Sequence, residues 1–387
     1  MNGFSFYNPT QIYFGEGTIK KLPRELEKVG KNILLTYGCG SVKKSGLYDQ
    51  VLDMLRQCDK NVTELSGIMS NPTAAKVREG IALCKENKID FILAVGGGSV
   101  IDCSKAIASG CMLEEDFWDK YFIKKGKIKA ALPLGDVLTM VGTGSEMNGG
   151  CVITNEETKI KTNAKSPLTH PVFSIMDPSY TLTLPKYHMV SGICDIVSHI
   201  LEQYCSVPDE DNLSDEMSEA LLRFVVRNAR IAAENPQDYT ARSNIMWAAT
   251  LGLNGLLSCG KNEDWSVHAI EHQVAAYYEI SHGMGLAAVS AAYYRRICSA
   301  GLSRFKRFAL NVWGVSADGK TDMEIALEGI SCLNSFFKEI GATTSLRELN
   351  ITDDTKFKAI AESCTFGDGT YLKLTANDVE DILRESF

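Results

Sequence analysis

The spacing of apolar and polar positions changes once along the chain, near residue 180. Before that point, short apolar runs alternate with stretches of helical periodicity, and turn-rich loops join them. The runs predict strands at 33–37, 62–65 and 89–95, and the periodic stretches predict helices at 44–57, 73–87 and 99–109. Repeated strand, loop and helix units predict a doubly wound α/β fold with a mostly parallel sheet.

Shorter apolar runs flank this repeat. Residues 4–19 alternate around Asn8-Pro9-Thr10 and predict two short strands joined by a turn at a sheet edge. Further strand segments are predicted at 130–134, 137–141, 152–154 and 173–176. From Tyr187 onward only helical periodicities follow, eight or nine of them. We therefore expect an α/β domain over residues 1–180 and an all-α domain over residues 181–387.

Composition narrows the class of protein. The chain has 387 residues and a net charge of −8, with no basic cluster larger than a lysine pair, so nucleic acid and anionic membrane are not expected partners. The N-terminus lacks the pattern of a signal peptide, and no apolar run approaches membrane-spanning length. Twelve scattered cysteines without a CxxC pair favour reduced thiols, so we expect a cytoplasmic protein.

Histidines are concentrated in one stretch of the helical half. Three of the six in the chain, His268, His272 and His282, fall within fifteen residues. His268 and His272 are four apart and share a helix face, and His282 follows at a helix break where its ring can turn back towards them. Imidazole is a common metal ligand, so the stretch favours a metal site over ordinary helix residues.

A second helix, residues 187–204, supplies complementary ligands. Asp195 and His199 are four apart on one face, and Glu202 lies three residues further on the same side. This pair alone could be a buried ion pair. Together with His268 and His282 it gives one oxygen and three nitrogens, which suits Fe(II) or Zn(II) better than magnesium or calcium.

A glycine loop in the α/β half indicates phosphate binding. Gly96, Gly97, Gly98 and Ser99 separate a predicted strand from a predicted helix, where backbone N–H groups and the helix N-terminus favour an anion. The loop matches neither the GxGxxG fingerprint nor a Walker motif. Hydroxyls near the end of another strand are further candidates for contact with a pyrophosphate or ribose: Thr139, Thr143 and Ser145.

The loop after the first buried strand bears on the choice of dinucleotide. An acidic residue at such a position usually binds the ribose 2′-hydroxyl and repels a 2′-phosphate. No acid occupies positions 38–43, and Ser41, Lys43 and Lys44 could hold a 2′-phosphate instead. The pattern favours NADP(H) over NAD(H). A dinucleotide domain joined to a metal-bearing domain indicates hydride transfer assisted by a Lewis acid, with His272 as a proton relay or substrate contact.

These motifs, in this order, resemble the iron-containing (group III) alcohol dehydrogenases, most closely their NADPH-dependent butanol dehydrogenase and aldehyde reductase branch. The resemblance covers essentially the whole chain and rests on YGCGSVKKSGLYDQVL at 37–52, GGGSVIDCSKAIA at 96–108, TGSEMNGG at 143–150, the Asp195/His199 helix and residues 264–283. It implies a Rossmann-like first domain, a helical second domain, a homodimer with the N-terminal strand near the dimer contact, and a small primary alcohol or aldehyde as substrate.

The resemblance also implies site residues. The metal ligands are Asp195, His199, His268 and His282, with His272 near the substrate. The implied cofactor contacts are Gly38, Gly40, Ser41, Asn71, Gly96, Gly97, Gly98, Ser99, Thr139 and Lys161. The sequence departs from the family at Asp136, where relatives more often carry threonine, at Met140-Val141-Gly142 and at Cys39. Cys194 departs as well, and its place beside a ligand makes it a candidate for oxidation sensitivity.

Two other enzymatic functions remain open from the sequence. His268 to His272 spells H-x-x-E-H, the pattern of a zinc peptidase in which Glu271 is the base. A metal- and NAD-dependent lyase of the dehydroquinate-synthase type would share the architecture but needs a basic pocket for an anionic substrate. Near the ligand helices the sequence offers only Lys261, Arg295 and Arg296 for such a pocket.

Overall fold

The structure, a computed structural model, describes every residue from Met1 to Phe387. The chain forms two compact units, one of residues Tyr7–Thr183 and one of Met1–Phe6 with Leu184–Phe387. The predicted division into domains 1–180 and 181–387 stays a proposal about independently folding parts.

The first unit contains eight strands, β1 Gln11–Phe14, β2 Asn32–Gly38, β3 Asn61–Ile68, β4 Phe91–Gly96, β5 Leu134–Leu138, β6 Gly150–Asn155, β7 Ile160–Lys165 and β8 Phe173–Met176. Six of them form a central parallel sheet in the order β1-β8-β5-β4-β2-β3, and β6 pairs with β7 as a separate antiparallel hairpin. The central strands are buried along most of their length, as expected where crossover helices cover a parallel sheet. The predicted α/β fold class is confirmed.

The helices of this unit follow the strands as the repeat predicts. They are α1 Leu22–Leu26, α2 Ser41–Lys44, α3 Leu47–Gln57, α4 Ala74–Glu86 and α5 Gly98–Gly110. Chain order along the sheet reverses at β2, because β3 lies on one side of it and β4 on the other. Such a switch point opens a crevice at the carboxyl ends of the neighbouring strands β2 and β4, where ligands bind in open α/β sheets. The loops after β2 and β4 therefore flank the expected ligand position.

Several local predictions were wrong. Residues 4–19 contain one strand, β1, instead of two. The helix predicted at 44–57 is interrupted, because Gly46 adopts a left-handed φ of 78° between α2 and α3. The two runs within 130–141 form the single strand β5, and β7 was missed because its sequence, IKTNAK, is polar.

The second unit is helical, and the prediction of eight or nine helices is confirmed. They are α6 Lys186–Tyr204, α7 Leu213–Glu234, α8 Tyr239–Leu253, α9 Ser266–Tyr278, α10 His282–Ile297, α11 Leu302–Phe308, α12 Asp322–Ile340, α13 Phe357–Ser363 and α14 Ala376–Glu385. Helix α6 is buried on all sides from Met189 to Tyr204 and packs against α7, α8 and α10, so its polar residues face protein rather than solvent. No helix combines the length and the apolar character needed to cross a lipid bilayer.

Candidate metal centre and cofactor site

Three helices of the second unit bring the predicted metal ligands together. Helix α6 carries Asp195 and His199, α9 carries His268, and α10 begins at His282. The Nε2 atoms of His199, His268 and His282 lie 3.3, 3.7 and 3.5 Å from Asp195 Oδ1. Two ligand atoms about 2.1 Å from one ion at a tetrahedral angle lie roughly 3.4 Å apart, so these separations fit a single shared metal ion.

The donor atoms themselves support a metal. Asp195 Oδ1 and His268 Nε2 are buried and make no hydrogen bond, a costly state for polar atoms unless a cation satisfies them. The ligand atoms of Asp195, His268 and His282 all lie within 4.8 Å of one another. The His199 ring joins this group by stacking on His268, with centroids 4.8 Å apart and planes inclined by 15°. One oxygen and three imidazole nitrogens match a divalent first-row metal.

Burial and nearby charges shift the pKa values of three candidate ligands, Asp195, His199 and His268. Burial alone would raise the pKa of Asp195, yet the surrounding imidazoles outweigh it and hold that pKa well below its usual range. Burial lowers the pKa of His199 to about 4, so this ring is neutral and has a lone pair available. Burial alone would lower the pKa of His268 as well, but Glu202 and Asp195 raise it to about 10. A cation bound at His268 therefore displaces a proton.

Close packing of the helices depends on two glycines after His282. A Cβ on Gly283 would lie 1.8 Å from the Ser191 carbonyl oxygen on α6, and one on Gly285 would lie 2.9 Å from Glu271 Cγ on α9. The sequence predicted a helix break at His282, next to these glycines. The break instead lies at Glu279, which adopts a left-handed φ of 53°, and the glycines belong to the first turn of α10.

Two glutamates near the centre had not been predicted to contact the ligands: Glu202 was only placed on the ligand face of its helix, and Glu271 was considered only as the base of a peptidase. Glu202, on the ligand face of α6, contacts His268 Nδ1, and Glu271 Oε2 lies 2.5 Å from His282 Nδ1. Their signal in the sequence is a carboxylate three residues after a ligand, at His199 and at His268.

The spare imidazole, His272, lies at the more open side of the centre. The exposed fraction of the ligand side chains is 5% for Asp195 and 25% for His282, so the accessible face is at His282. The ring centroid of His272 lies 5.5 Å from that of His282. The Trp265 ring meets His199 and His268 edge-on and packs beside these two ligands. Cys194 is buried, and burial raises the pKa of its thiol, which lowers its reactivity; its oxidation sensitivity stays a prediction.

The predicted cofactor residues of the first unit lie mainly at the carboxyl ends of the strands. Gly38 ends β2 and is followed by Gly40 and Ser41, and Gly40 has a φ of 123° that favours glycine. Gly96 ends β4, and its carbonyl accepts a hydrogen bond from the backbone N–H of Thr139, just beyond β5. These loops therefore border the switch point together.

The remaining two glycines of the loop are required by close contacts. A Cβ on Gly97 would lie 2.9 Å from Met140 Cβ, and one on Gly98 would lie 2.0 Å from Thr143 Oγ1. The loop after β5 thus packs directly on the glycine loop. The departure from the family at Met140 is accommodated here, because glycine leaves room for that side chain.

Not every predicted hydroxyl is available to a ligand. Ser145 is buried, donates to Asp102 Oδ1 at 2.5 Å and accepts from Lys105 Nζ at 2.8 Å, which contradicts its prediction as a cofactor contact. Ser99 Oγ donates to the Ser70 carbonyl at 2.6 Å and so fixes the chain after β3.

Two buried residues of α5, Asp102 and Lys105, were missed by the sequence analysis. Lys105 Nζ donates to the carbonyl oxygens of Ser145 and Gly150, and Asp102 Oδ2 accepts from the backbone N–H of Val152. Because these bonds run from α5 to successive points of residues 145–152, they fix that segment beside the glycine loop. The signal was a charged pair within an otherwise apolar helix.

Asn71 lies next to the β6–β7 hairpin, and Lys161 belongs to it. Asn71 is in the turn before α4, and the neighbouring Pro72 carbonyl accepts from Thr154 N at 2.9 Å. Lys161 is buried on β7, directly across the hairpin from Thr154. The hairpin therefore connects these two predicted contacts.

Comparison with known families decides the identity of this arrangement. The model described as "Iron-containing alcohol dehydrogenase" matches residues 9–178, and "Fe-containing alcohol dehydrogenase family, C-terminal" matches residues 189–387. The chain belongs to the iron-containing alcohol dehydrogenase family. This membership confirms the resemblance found in the sequence and the prediction of a metal-dependent alcohol dehydrogenase or aldehyde reductase, an NAD(P)-dependent oxidoreductase.

Individual relatives cover nearly the whole chain. It is 45% identical to "Probable NADH-dependent butanol dehydrogenase 1" of Bacillus subtilis, over 99% of this chain and 98% of the relative. It is 36% identical to "NADPH-dependent aldehyde reductase YqhD" of Escherichia coli, over 91% of this chain and 90% of the relative. The crystal structure of NADH-dependent butanol dehydrogenase A from Thermotoga maritima superposes with a TM-score of 0.93 at 39% identity, covering 99% of this chain and 98% of that one. The similar proteins thus differ in the nicotinamide cofactor that their names give.

Proposed function

We propose that the protein transfers hydride between NADP(H) and a small primary alcohol or aldehyde, with Fe(II) or Zn(II) bound by Asp195, His199, His268 and His282. The observation that carries this proposal is the set of three imidazole Nε2 atoms 3.3 to 3.7 Å from one buried carboxylate oxygen. A cation bound there supplies Lewis-acid chemistry, which polarises the oxygen of an alcohol or aldehyde.

The protein's own side chains hold the reacting groups in place. Asp195 and His199 are buried and fixed on α6, so they provide a rigid half of the centre. His282 provides the accessible side, and His272 lies next to it on that side. His272 therefore binds the substrate oxygen or exchanges its proton with solvent in our proposal.

The choice of NADP(H) is supported by residues after β2. Lys43 Nζ lies 5.0 and 4.4 Å from the ring centroids of Tyr37 and Tyr48, which hold the ammonium in place. Both phenols donate to Glu64, at 2.5 Å from Tyr37 and 2.9 Å from Tyr48, so the nearby carboxylate is engaged by neutral donors. The choice of a 2′-phosphate over a 2′-hydroxyl rests on Lys43 and on the absence of an acid at positions 38–43.

Contacts of the basic residues argue against the lyase alternative. Lys261 is buried in an ion pair with Asp215, Arg295 pairs with Glu385, and Arg296 pairs with Asp378. None of the three cations that the sequence offered for an anionic substrate is therefore left without a carboxylate. Family membership decides against the peptidase alternative as well.

The first experiment follows the absorbance of NADPH, and then NADH, with butanal as substrate. The protein is stripped of metal and reloaded with Fe(II) or Zn(II) under argon. Metal-dependent oxidation of NADPH, much faster than that of NADH, is the expected result. Faster oxidation of NADH would overturn only the cofactor choice. No turnover with either nucleotide across a panel of aldehydes, with metal bound, would overturn the proposed reaction.

We also propose a cytoplasmic location, as the scattered cysteines predict, and a homodimer, as the resemblance to the family implies. The chain has a mass of 42.5 kDa, so light scattering after size-exclusion chromatography distinguishes a dimer from a monomer directly. A mass that stays at the monomer value across protein concentrations would overturn the dimer.

A further inference from the structure

Two buried glutamates support the candidate metal centre from outside the ligand set. Glu202 and Glu271 both have fully buried side chains. Glu202 Oε2 contacts Nδ1 of His268, and its other oxygen accepts the backbone N–H of the same histidine at 3.1 Å. Glu271 Oε2 lies 2.5 Å from Nδ1 of His282. Each glutamate therefore contacts the ring nitrogen that faces away from Asp195.

The supporting contacts pass from helix to helix. Helix α6 supplies Glu202 to a histidine of α9, and α9 supplies Glu271 to the first histidine of α10. Ser198 Oγ donates to Glu202 Oε2 at 3.1 Å, which fixes that carboxylate further. The third imidazole differs, because Nδ1 of His199 is buried without a hydrogen-bond partner.

We infer that Glu202 and Glu271 are positioning residues for His268 and His282, an inference that rests on the metal centre of the proposed function. An imidazole that donates its Nδ1 hydrogen to a carboxylate keeps the Nε2 lone pair for a metal and holds its ring plane. The two glutamates thereby fix the tautomer and direction of two of the three imidazoles. His199 has no such carboxylate and is oriented by its helix, by stacking on His268 and by the edge-on contact with Trp265.

The test measures metal binding apart from catalysis. Glu202→Ala, Glu202→Gln, Glu271→Ala and Glu271→Gln are prepared as apo proteins, and the dissociation constant for Zn(II) is measured by competition with a chromophoric chelator. We expect the alanine variants to bind Zn(II) roughly 10- to 100-fold more weakly. The glutamine variants should lose less, because the amide oxygen still accepts the Nδ1 hydrogen. Glu202 should have the larger effect, since it holds both the ring and the backbone of its histidine.

A spectroscopic measurement and a control separate positioning from general stability. The visible absorption of Co(II)-loaded protein reports ligand geometry, and it should change in both alanine variants. Glu219→Gln removes an equally buried glutamate whose partners are Tyr204, Arg307 and Asn311. This control should lower the melting temperature of the apo protein while leaving Zn(II) affinity within about twofold of wild type.

Two outcomes would overturn the inference, and they are distinguishable. If wild type binds Zn(II) and both alanine variants bind it as tightly with an unchanged Co(II) spectrum, the glutamates have only a structural role. If wild type itself binds neither Zn(II) nor Co(II), the metal centre of the proposed function fails together with the inference. The near-isosteric glutamine variants keep the test decisive should the alanine variants not fold.

Discussion

The candidate metal centre and the candidate cofactor site use different parts of the polypeptide. At the metal centre, side chains on three helices converge on Asp195, and their spacing along each helix sets their direction. At the cofactor site, the close contacts are made by glycine backbone, as at Gly97 and Gly98. Side chains therefore define the chemistry of the metal centre, whereas the shape of the cofactor site depends on positions where glycine has no side chain. Substitutions at the metal centre should therefore lower metal content, and substitutions in the glycine loop should weaken nucleotide binding.

The largest effect is expected from Asp195→Ala. This change removes the oxygen around which the three imidazoles are arranged, so metal content should fall below one tenth of wild type. Losing several kcal/mol of Lewis-acid stabilisation lowers kcat/KM by roughly a thousandfold. Elemental analysis and steady-state kinetics with butanal measure both. Binding of NADPH, followed by fluorescence, should change by less than about twofold. A variant that retains metal and activity would contradict the assignment of Asp195.

Gly98→Ala should give the opposite pattern. The new methyl group would lie 2.0 Å from Thr143 Oγ1, and overpacking of this kind costs about 1–3 kcal/mol. We expect the KM for NADPH to rise roughly tenfold with unchanged metal content. Gly150→Ala is the matched control, because its Cβ would meet only Asn148 Oδ1 at 3.5 Å. Equal effects of the two substitutions would show that the glycine loop has no special part in nucleotide binding.

Lys43→Ala tests the cofactor preference alone. An exposed ion pair contributes about 1 kcal/mol, so kcat/KM for NADPH should fall about fivefold, with little change for NADH. Lys129→Ala, which removes another exposed lysine of the same unit, should alter neither value. A parallel loss for both nucleotides would indicate that Lys43 does not distinguish the 2′-phosphate.

The smallest effect is expected at Asp136 and concerns stability. Burial raises the pKa of this carboxyl well above its usual range, so the folded protein keeps a proton that the unfolded chain releases. Its contribution to stability therefore falls as pH rises from the unfolded pKa towards the folded one. The melting temperature of Asp136→Asn should rise relative to that of wild type as pH increases above about 4, where the unfolded carboxyl loses its proton, by about 2 °C or less per kcal/mol relieved. Asp49→Asn, at an exposed position, should show no such trend.

The sequence predicted the convergence of the candidate metal ligands better than the contacts around the glycine loop, for a physical reason. Spacing of four residues places His199 on the face of Asp195 whatever the tertiary structure, and the break before His282 lets its ring turn back. Which hydroxyl faces a ligand is a tertiary property. Ser145 belongs to the same motif as Thr143, but its hydroxyl is hydrogen-bonded to Asp102 and Lys105 in the protein interior. The polar strand β7 was missed because its pairing with β6, and not its own pattern, makes it a strand.

Convergence of α6, α9 and α10 on Asp195 means that a bound cation would act as a cross-link. It would join segments that are far apart along the chain, and closing such loops removes entropy from the unfolded state. A cation that binds only the folded protein adds about 2.7 kcal/mol when its free concentration is one hundred times its dissociation constant. Metal supply would then set the lifetime of the polypeptide in the cell as well as its activity, because apo protein unfolds and is degraded sooner.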